Sequence, residues 1–188
     1  VLAVHWQQVE KYGVLKSEVF RPQMAMLRAG KAMADSVVGH PSGKANWQDG
    51  LKGLPKRWRT DSNTLDLWAT FLVQAGGEVQ ARELVLHVLT TSWQPALIRR
   101  LGLLCTTKPL ATVIEQVTAL LKKHPEDAEL LLALARLLRA DNQPNEARRH
   151  LMAAGNCLQT GPDPSEETEE LRQLIAGELG QLALLNAR

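Results

Sequence analysis

Apolar residues recur at helical spacing between residues 124 and 152. One set falls at i, i+3, i+4 and i+7, which is the spacing of a single face of an α-helix: Leu131, Leu134, Ala135 and Leu138. Residues 141–144 (Asp-Asn-Gln-Pro) then interrupt the pattern, and Ala147 and Leu151 begin a second apolar stripe. The pattern therefore predicts two helices joined by a short turn.

The same unit recurs along the chain with a period of about 33 residues, a length typical of repeats built from helix pairs. In the first helix the matching positions are Leu65, Ile98 and Leu131; Trp68, Leu101 and Leu134; Ala69, Gly102 and Ala135; and Leu72, Cys105 and Leu138. In the second helix the matching positions are 32 residues apart between the first and second units and 34 residues apart between the second and third. They are Ala81, Val113 and Ala147; Val85, Val117 and Leu151; and Val88, Leu120 and Ala154. A small residue in the first helix, followed about 12 positions later by another, lets two helices cross closely and is typical of the tetratricopeptide (TPR) repeat.

These repeats predict an all-α fold, a TPR-type right-handed superhelix of stacked antiparallel helix pairs that ends in a capping helix. The whole chain, residues 1–188, is expected to form a single helical-repeat domain. Its expected parts are degenerate N-terminal helices (1–60), repeat 1 (61–93), repeat 2 (94–124), repeat 3 (125–160) and a capping helix or partial repeat (163–187).

Local signals predict several helix ends. Residues 61–63 (Asp-Ser-Asn) supply N-caps for a helix over 63–75, and two glycines, Gly76 and Gly77, allow a tight turn into a helix over 78–91.

The last helix is expected to begin at Pro164, because Asp163 and Glu166 form a capping-box pattern around it. Gly180 is expected to begin a partial fourth unit. The apolar residues expected to cover the end of the third repeat are Leu174, Leu179 and Leu182.

Composition narrows the possible functions. The 188 residues are 45% hydrophobic and 4% aromatic, and the net charge of +2 is too small to predict a nucleic-acid partner. No apolar run approaches the roughly 18 residues that span a bilayer, and no signal peptide is apparent. Since the first residue is Val1, the chain is expected to be a piece of a longer protein.

The two cysteines predict no disulfide framework, and Cys105, at a stripe position, is expected to be a buried thiol.

No catalytic motif is present in the sequence. It contains no glycine-rich phosphate loop, no His-Glu-x-x-His and no Gly-x-Ser-x-Gly. His150 and Cys157 could share a helix face, but two ligands make a poor zinc site, and Gly155 is expected to end the helix between them. We therefore expect no enzymatic activity, no cofactor and no metal site.

The inner surface of the helical stack is then the candidate binding surface. In such a stack the first helix of each pair lines the groove. The predicted partner-binding residues are Asn63, Asp66 and Thr70; Arg99, Leu103 and Thr106; and Glu129, Leu132, Arg136 and Arg139. Arg99, Arg136 and Arg139 predict a basic patch that suits a carboxylate or an acidic peptide. The alternative is that these arginines are solvated, or pair with Asp66 and Glu129 across the groove.

Three segments resemble the C-terminal part of the proteobacterial HemY proteins. They are residues 47–59 (WQDGLKGLPKRWR), 97–104 (LIRRLGLL) and 124–138 (HPEDAELLLALARLL). In that family a Trp-x-x-Leu-Pro segment precedes the repeats, and a His-Pro segment followed by LLLALxxL carries the third. The resemblance covers roughly residues 15 to 185. It departs at residues 143–146 (Gln-Pro-Asn-Glu), where the family usually has Trp-Gly.

The resemblance implies a non-catalytic scaffold on the cytoplasmic face of the bacterial inner membrane, where it would bind proteins such as late haem-pathway enzymes. Membrane attachment would come from a segment absent from this chain. The flavin-dependent porphyrinogen oxidases that share the HemY name are a different family, whose dinucleotide fingerprint is missing here. Two alternatives stay open: a TPR adaptor for another envelope assembly, such as cytochrome c maturation or lipopolysaccharide control, and direct porphyrin binding, for which no axial ligand stands out.

Overall fold

The computed structural model describes residues 59–159 and 165–186, together with Gly30, Trp47, Gln48 and Lys56. In this part of the chain it has seven α-helices and no strand, which confirms the all-α prediction. In chain order the helices are α1 (Ser62–Gln74), α2 (Glu78–Thr91), α3 (Ile98–Leu103), α4 (Ala111–Leu121), α5 (Ala128–Ala140), α6 (Pro144–Gln159) and α7 (Glu166–Asn186), with a 3-10 turn at Pro95–Leu97. Most of the predicted N-terminal helices, residues 1–60, lie outside the described residues.

Both α1 and α5 have an aspartate as N-cap, and the two aspartates stand two repeat periods apart in the sequence. The carboxylate of Asp61 accepts a hydrogen bond from the backbone N–H of Thr64 at 2.8 Å, as the capping signal predicted. Asp127 does the same for the N–H of Leu130 at 2.9 Å. Each cap satisfies a backbone donor that the first turn of a helix leaves unpaired, so the two helices start at equivalent positions.

The same two helices also end alike. Gly76 and Asn142, which are separated by the same two periods, adopt positive φ angles of 83° and 63°. After each of them a backbone N–H returns to a carbonyl of the last helical turn: Gly77 to Leu72 at 2.7 Å and Gln143 to Leu138 at 2.9 Å. This left-handed C-cap reverses the chain within a few residues. As a result α1 packs on α2, and α5 packs on α6, as two helical hairpins.

The second unit departs from this geometry. Its first helix, α3, is a short segment, Ile98–Leu103, that starts without a side-chain cap. One period after Asp61 stands Gln94, and one period after Gly76 stands Pro109, so neither capping residue recurs. The chain leaves the helix at Leu104, which turns into the core and is 2% exposed. Cys105 consequently lies past the helix and is only half-buried, so the prediction of a buried thiol there was wrong.

The core follows the predicted columns. Apart from Cys105, every column position of both helix sets is buried, from Leu65 and Ala81 in the first unit to Leu138 and Ala154 in the third. Helix α5 is the centre of the stack, because it contacts α3, α4 and α6. One contact is very close: a Cβ atom built on Gly102 of α3 would lie 3.0 Å from the Cα atom of Ala133. At Gly102 a small residue therefore does coincide with a close crossing. This crossing joins α3 to α5, the first helices of neighbouring units, whereas the prediction placed it between the two helices of one pair.

Helix α7 packs on α6 and covers the end of the third unit. It begins at Glu166, later than Pro164, and the hydroxyl of Ser165 caps it by accepting from the N–H of Thr168 at 3.3 Å. Asp163 and Pro164 themselves lie outside the described residues. The helix runs through Gly180, so no new unit starts at that position.

The predicted apolar face of α7 needs correction. Its buried residues are Leu171, Ile175 and Leu182, while Leu174 lies to one side of this face and is 43% exposed. In α6 the helix likewise continues through Gly155, contrary to the prediction that it would end there. Glycine costs an exposed helix about 1 kcal/mol relative to alanine, which the packing of the flanking turns offsets. No helix in the described residues combines the length and apolar character needed to cross a bilayer.

Candidate interaction surface

The predicted partner-binding residues lie on α1, α3 and α5, except for Thr106, which lies in the segment after α3, and most of them reach the surface. Asn63, Arg99, Leu103 and Thr106 are exposed, and Asp66, Thr70, Glu129, Arg136 and Arg139 are half-buried. We call these residues the inner face. Leu132 is the exception, because it is 3% exposed. Helix α5 is packed by three neighbouring helices, and this burial covers a position that an isolated hairpin would expose.

Ion pairs connect the first helices of successive units across the inner face. Asp66 of α1 accepts two hydrogen bonds from Arg100 of α3, at 2.7 Å from Nε and 2.8 Å from Nη2. On the other side of α3, Nε of Arg99 donates to Oε1 of Glu129 in α5 at 2.5 Å. The pKa values of both arginines are raised, in each case because the guanidinium donates a hydrogen bond to its carboxylate. Ion pairs thus connect α3 to α1 on one side and to α5 on the other.

The remaining two arginines of the predicted patch converge on a glutamate of α7. Nε of Arg136 donates to Oε1 of Glu178 at 2.8 Å, and Nη1 of Arg139 donates to the other carboxylate oxygen. Nη1 of Arg139 also donates to Oε1 of Gln181 at 2.9 Å. The Glu178 side chain is 12% exposed, that of Arg136 14% and that of Arg139 31%, so the Arg136–Glu178 pair is largely shielded from water and Arg139 less so. We call Arg136, Arg139 and Glu178 the arginine–glutamate cluster.

The structure therefore brings the predicted arginines onto one surface, but each of them already has a carboxylate partner from the same chain. Pairing of Arg99 with Glu129 across the groove is the alternative that the sequence left open. Sequence reasoning missed Arg100 and Glu178. Glu178 lies far from Arg136 in the sequence and on a helix outside the repeat pattern, so no periodic signal connects the two residues.

An open cavity of about 550 Å³ lies beside the arginine–glutamate cluster, between α5 and α7. It is lined by Arg136, Glu170, Gln173, Leu174, Gly177, Glu178 and Gln181. The exposed Leu174 gives the cavity an apolar wall, and a Cβ atom added at Gly177 would meet nothing within 4 Å. The cavity thus offers space for a side chain next to a charged cluster.

Thr106, the remaining inner-face residue of the second unit, is held by α2. The carboxylate of Glu78 accepts from the backbone N–H groups of Thr106 at 2.7 Å and Thr107 at 3.1 Å, and from both threonine hydroxyls. Burial by itself would raise the pKa of Glu78, but the four hydrogen bonds outweigh burial and lower that pKa below its usual value of 4.5. The segment after α3 is therefore fixed to α2 by an ionised carboxylate.

The replacement Glu78→Gln is expected to make stability less dependent on pH. A carboxyl whose pKa is lower in the folded state stabilises the fold above its unfolded pKa, and this contribution is lost as the pH falls through the folded value. The difference in unfolding free energy between the parent chain and the variant should therefore be largest near neutral pH and shrink below about 4.5. Urea unfolding over a pH series measures it.

The matched control for that series is Glu83→Gln, because Glu83 is an exposed glutamate of the same helix. It should show no comparable change with pH. Equal pH profiles for the two variants would contradict a special role for Glu78.

His150 and Cys157 both lie on α6, and burial lowers the pKa of the His150 imidazole. Within residues that the structure describes, no three His, Cys, Asp or Glu side chains come close enough to hold a metal ion.

Comparison with known proteins adds no identification. No protein-family model, curated protein or solved structure matches the chain. The function is therefore inferred from the surface itself.

Proposed function

We propose that the chain is a non-catalytic protein-interaction scaffold with the TPR-type arrangement, in which antiparallel helix pairs stack into a right-handed superhelix. The aspartate caps and left-handed C-caps that recur two periods apart support this arrangement. The buried columns also support it, because stacked repeats share one core and each unit packs only on its neighbours.

One observation carries the interaction role. Ion pairs hold α1, α3, α5 and α7 side by side, and the surface that they form still exposes a large apolar side chain. Leu103 of α3 is 57% exposed, one residue after the close crossing at Gly102. An exposed leucine amid polar groups suits a partner that inserts an apolar residue.

The partner class is proposed from the HemY resemblance. On this basis the scaffold binds late haem-pathway enzymes at the cytoplasmic face of the inner membrane, through the inner face. Direct porphyrin binding has less support, because a flat apolar ligand needs exposed aromatic surface and two of the tryptophans do not provide it. Trp47 and Trp68 are 6% and 2% exposed, so they offer little surface to a ligand.

A pull-down from membranes of the source organism tests this function, with the chain as bait and Leu103→Asp as the variant. We expect Leu103→Asp to lose the captured partner without losing stability, since the side chain is already largely in water. The matched control is Met152→Asp, because Met152 of α6 is 54% exposed and lies outside the inner face. This control should retain the partner.

Capture of ferrochelatase or a porphyrinogen oxidase, lost only with Leu103→Asp, would support the haem-pathway scaffold. Capture of another envelope complex with the same loss would retain the scaffold and change its pathway. Equal loss with both variants, or with neither, would contradict binding through the inner face. Charge reversal of Arg136 and Arg139 is unsuitable as a control here, because it would place new carboxylates against Glu178.

A further inference from the structure

The arginine–glutamate cluster contains an imbalance that the other inner-face pairs do not have. Asp66 meets one arginine and Glu129 meets one arginine, but Glu178 meets two. Arginine carries five N–H donors, and two guanidinium groups therefore offer far more donors than one carboxylate can accept. Among the described residues, Arg136 donates to protein only through Nε. Its terminal nitrogens thus retain capacity for a second acceptor.

The open cavity lies where such an acceptor would arrive. Arg136 and Glu178 both line it, so a group entering between α5 and α7 meets the guanidinium directly. Leu174 forms an apolar wall of the same cavity, and the exposed Leu103 lies on the adjacent helix α3. Guanidinium groups bind carboxylates in a planar, often bidentate geometry. The combination therefore suits an acidic residue with an apolar neighbour.

The Glu178 side chain can leave the arginines without dissociation of α7. The helix is anchored separately, because Leu171, Ile175 and Leu182 are at most 5% exposed and α7 packs on α6. Rotation of one side chain into the cavity would therefore free both guanidinium groups. This makes exchange of one carboxylate for another a local event.

Acidic residues of α7 also lie around the cavity. Glu170 lines the same cavity and would repel an incoming carboxylate. Glu170 and Glu167 also help to raise the pKa of Arg99 of α3, but less than its hydrogen-bonded partner Glu129 does. Arg99 is already paired with Glu129, so it does not neutralise Glu170 and Glu167. The cluster of two arginines and Glu178 carries one net positive charge, which Glu170 balances, so the affinity for a carboxylate comes from the unused N–H donors of Arg136.

We propose that Arg136 and Arg139 form a carboxylate-binding site for an acidic segment of a protein partner, and that Glu178 occupies this site until a carboxylate of the partner replaces it. The proposal rests on the proposed scaffold function and specifies the chemistry of its partner. In the absence of a partner, the glutamate keeps two arginines paired and prevents weak binding of unrelated anions. The partner must then supply a carboxylate and an apolar contact together.

The test uses a fluorescein-labelled peptide of alternating glutamate and leucine, with a glutamine–leucine peptide for comparison, and measures binding by fluorescence anisotropy. Glu178→Gln should bind the acidic peptide about tenfold more tightly than the parent chain, the effect of one charge-assisted hydrogen bond. Glu170→Gln is the matched control, since it removes the same charge from the same cavity without freeing the arginines; its effect should be smaller. The triple replacement of Arg136, Arg139 and Glu178 by glutamine should not bind.

Equal gains for Glu178→Gln and Glu170→Gln, or binding by the triple variant, would overturn the site. If Glu178→Gln does not fold, the charge-exchanged chain with Arg136→Glu, Arg139→Glu and Glu178→Arg decides, because it keeps an internal pair. It should prefer a lysine–leucine peptide to the glutamate–leucine peptide, and no change in preference would overturn the proposal. If the peptide test fails while Leu103→Asp still loses the captured partner, only this site is wrong and the scaffold function stands.

Discussion

Replacing Arg82 by methionine is expected to lower the free energy of unfolding by about 2–4 kcal/mol. Arg82 lies on α2 and is 3% exposed. Its Nη1 atom donates to the carbonyl oxygens of Leu104 at 3.1 Å and Thr107 at 2.8 Å. Methionine fills a similar length but donates nothing, so both carbonyls lose a charged donor where water has little access.

A second loss adds to the first. Nη1 of Arg82 lies 3.9 Å from the Glu78 carboxylate, which holds the same segment through Thr106 and Thr107. Without the guanidinium, Glu78 is a partly buried charge that has lost its ion-pair partner among the described residues. The segment between α3 and α4 should therefore loosen as a unit, because both of its attachments to α2 are affected.

Urea unfolding followed by far-UV circular dichroism measures the effect of Arg82→Met. The control is Arg148→Met, which removes an exposed arginine from α6 and should leave the unfolding midpoint nearly unchanged. Similar midpoints for the two variants would show that Arg82 does not hold the segment.

Replacing Gly102 by leucine is expected to destabilise the fold by about 1–3 kcal/mol. Leucine is the better helix former by about 1 kcal/mol, so propensity alone would predict the opposite sign. The Cβ atom of the new residue would, however, lie 3.0 Å from the Cα atom and 3.3 Å from the Cβ atom of Ala133, and 3.4 Å from Cδ of Arg136. A backbone atom cannot rotate away, so α3 and α5 must move apart.

The same replacement at Gly155 provides the control, because a Cβ atom there would meet nothing within 4 Å. Gly155→Leu should be neutral or slightly stabilising, through helix propensity alone. Thermal unfolding of the two variants gives the comparison. A melting temperature for Gly102→Leu equal to or above that of the parent chain would contradict the close crossing of α3 and α5.

Much of the helical architecture could be predicted from sequence, because it is encoded by neighbours within a turn or two. The apolar columns specify most of the buried positions of α1 to α6, whereas the buried face of α7 and the helix that crosses at Gly102 were not predicted. Even the irregular second unit has a local signal: Gln94 and Pro109 occupy the positions where the outer units have a capping aspartate and a residue with positive φ. The short α3 is consistent with that loss of both caps.

Tertiary structure decided which residues of the candidate site form ion pairs with one another and which are exposed. The ion pairs of the inner face join residues of different helices that are remote in sequence, and their partners are selected by which helices pack side by side. Leu132 is buried because α5 has three helical neighbours, and Leu174 is exposed because α7 presents a different face to α6.

Within residues 59–159 and 165–186, the sequence by itself thus determined the helices of the repeated units, many of their ends and most of the buried columns, since hydrogen bonds and side-chain spacing within a few residues specify them. Only the tertiary structure decided that Arg136 and Arg139 share Glu178, that Arg82 and Glu78 hold the segment after α3, and that a cavity opens beside the arginine–glutamate cluster. The reason is physical. A charged side chain pairs with whichever opposite charge the packed helices bring within about 4 Å, and no local spacing encodes that choice.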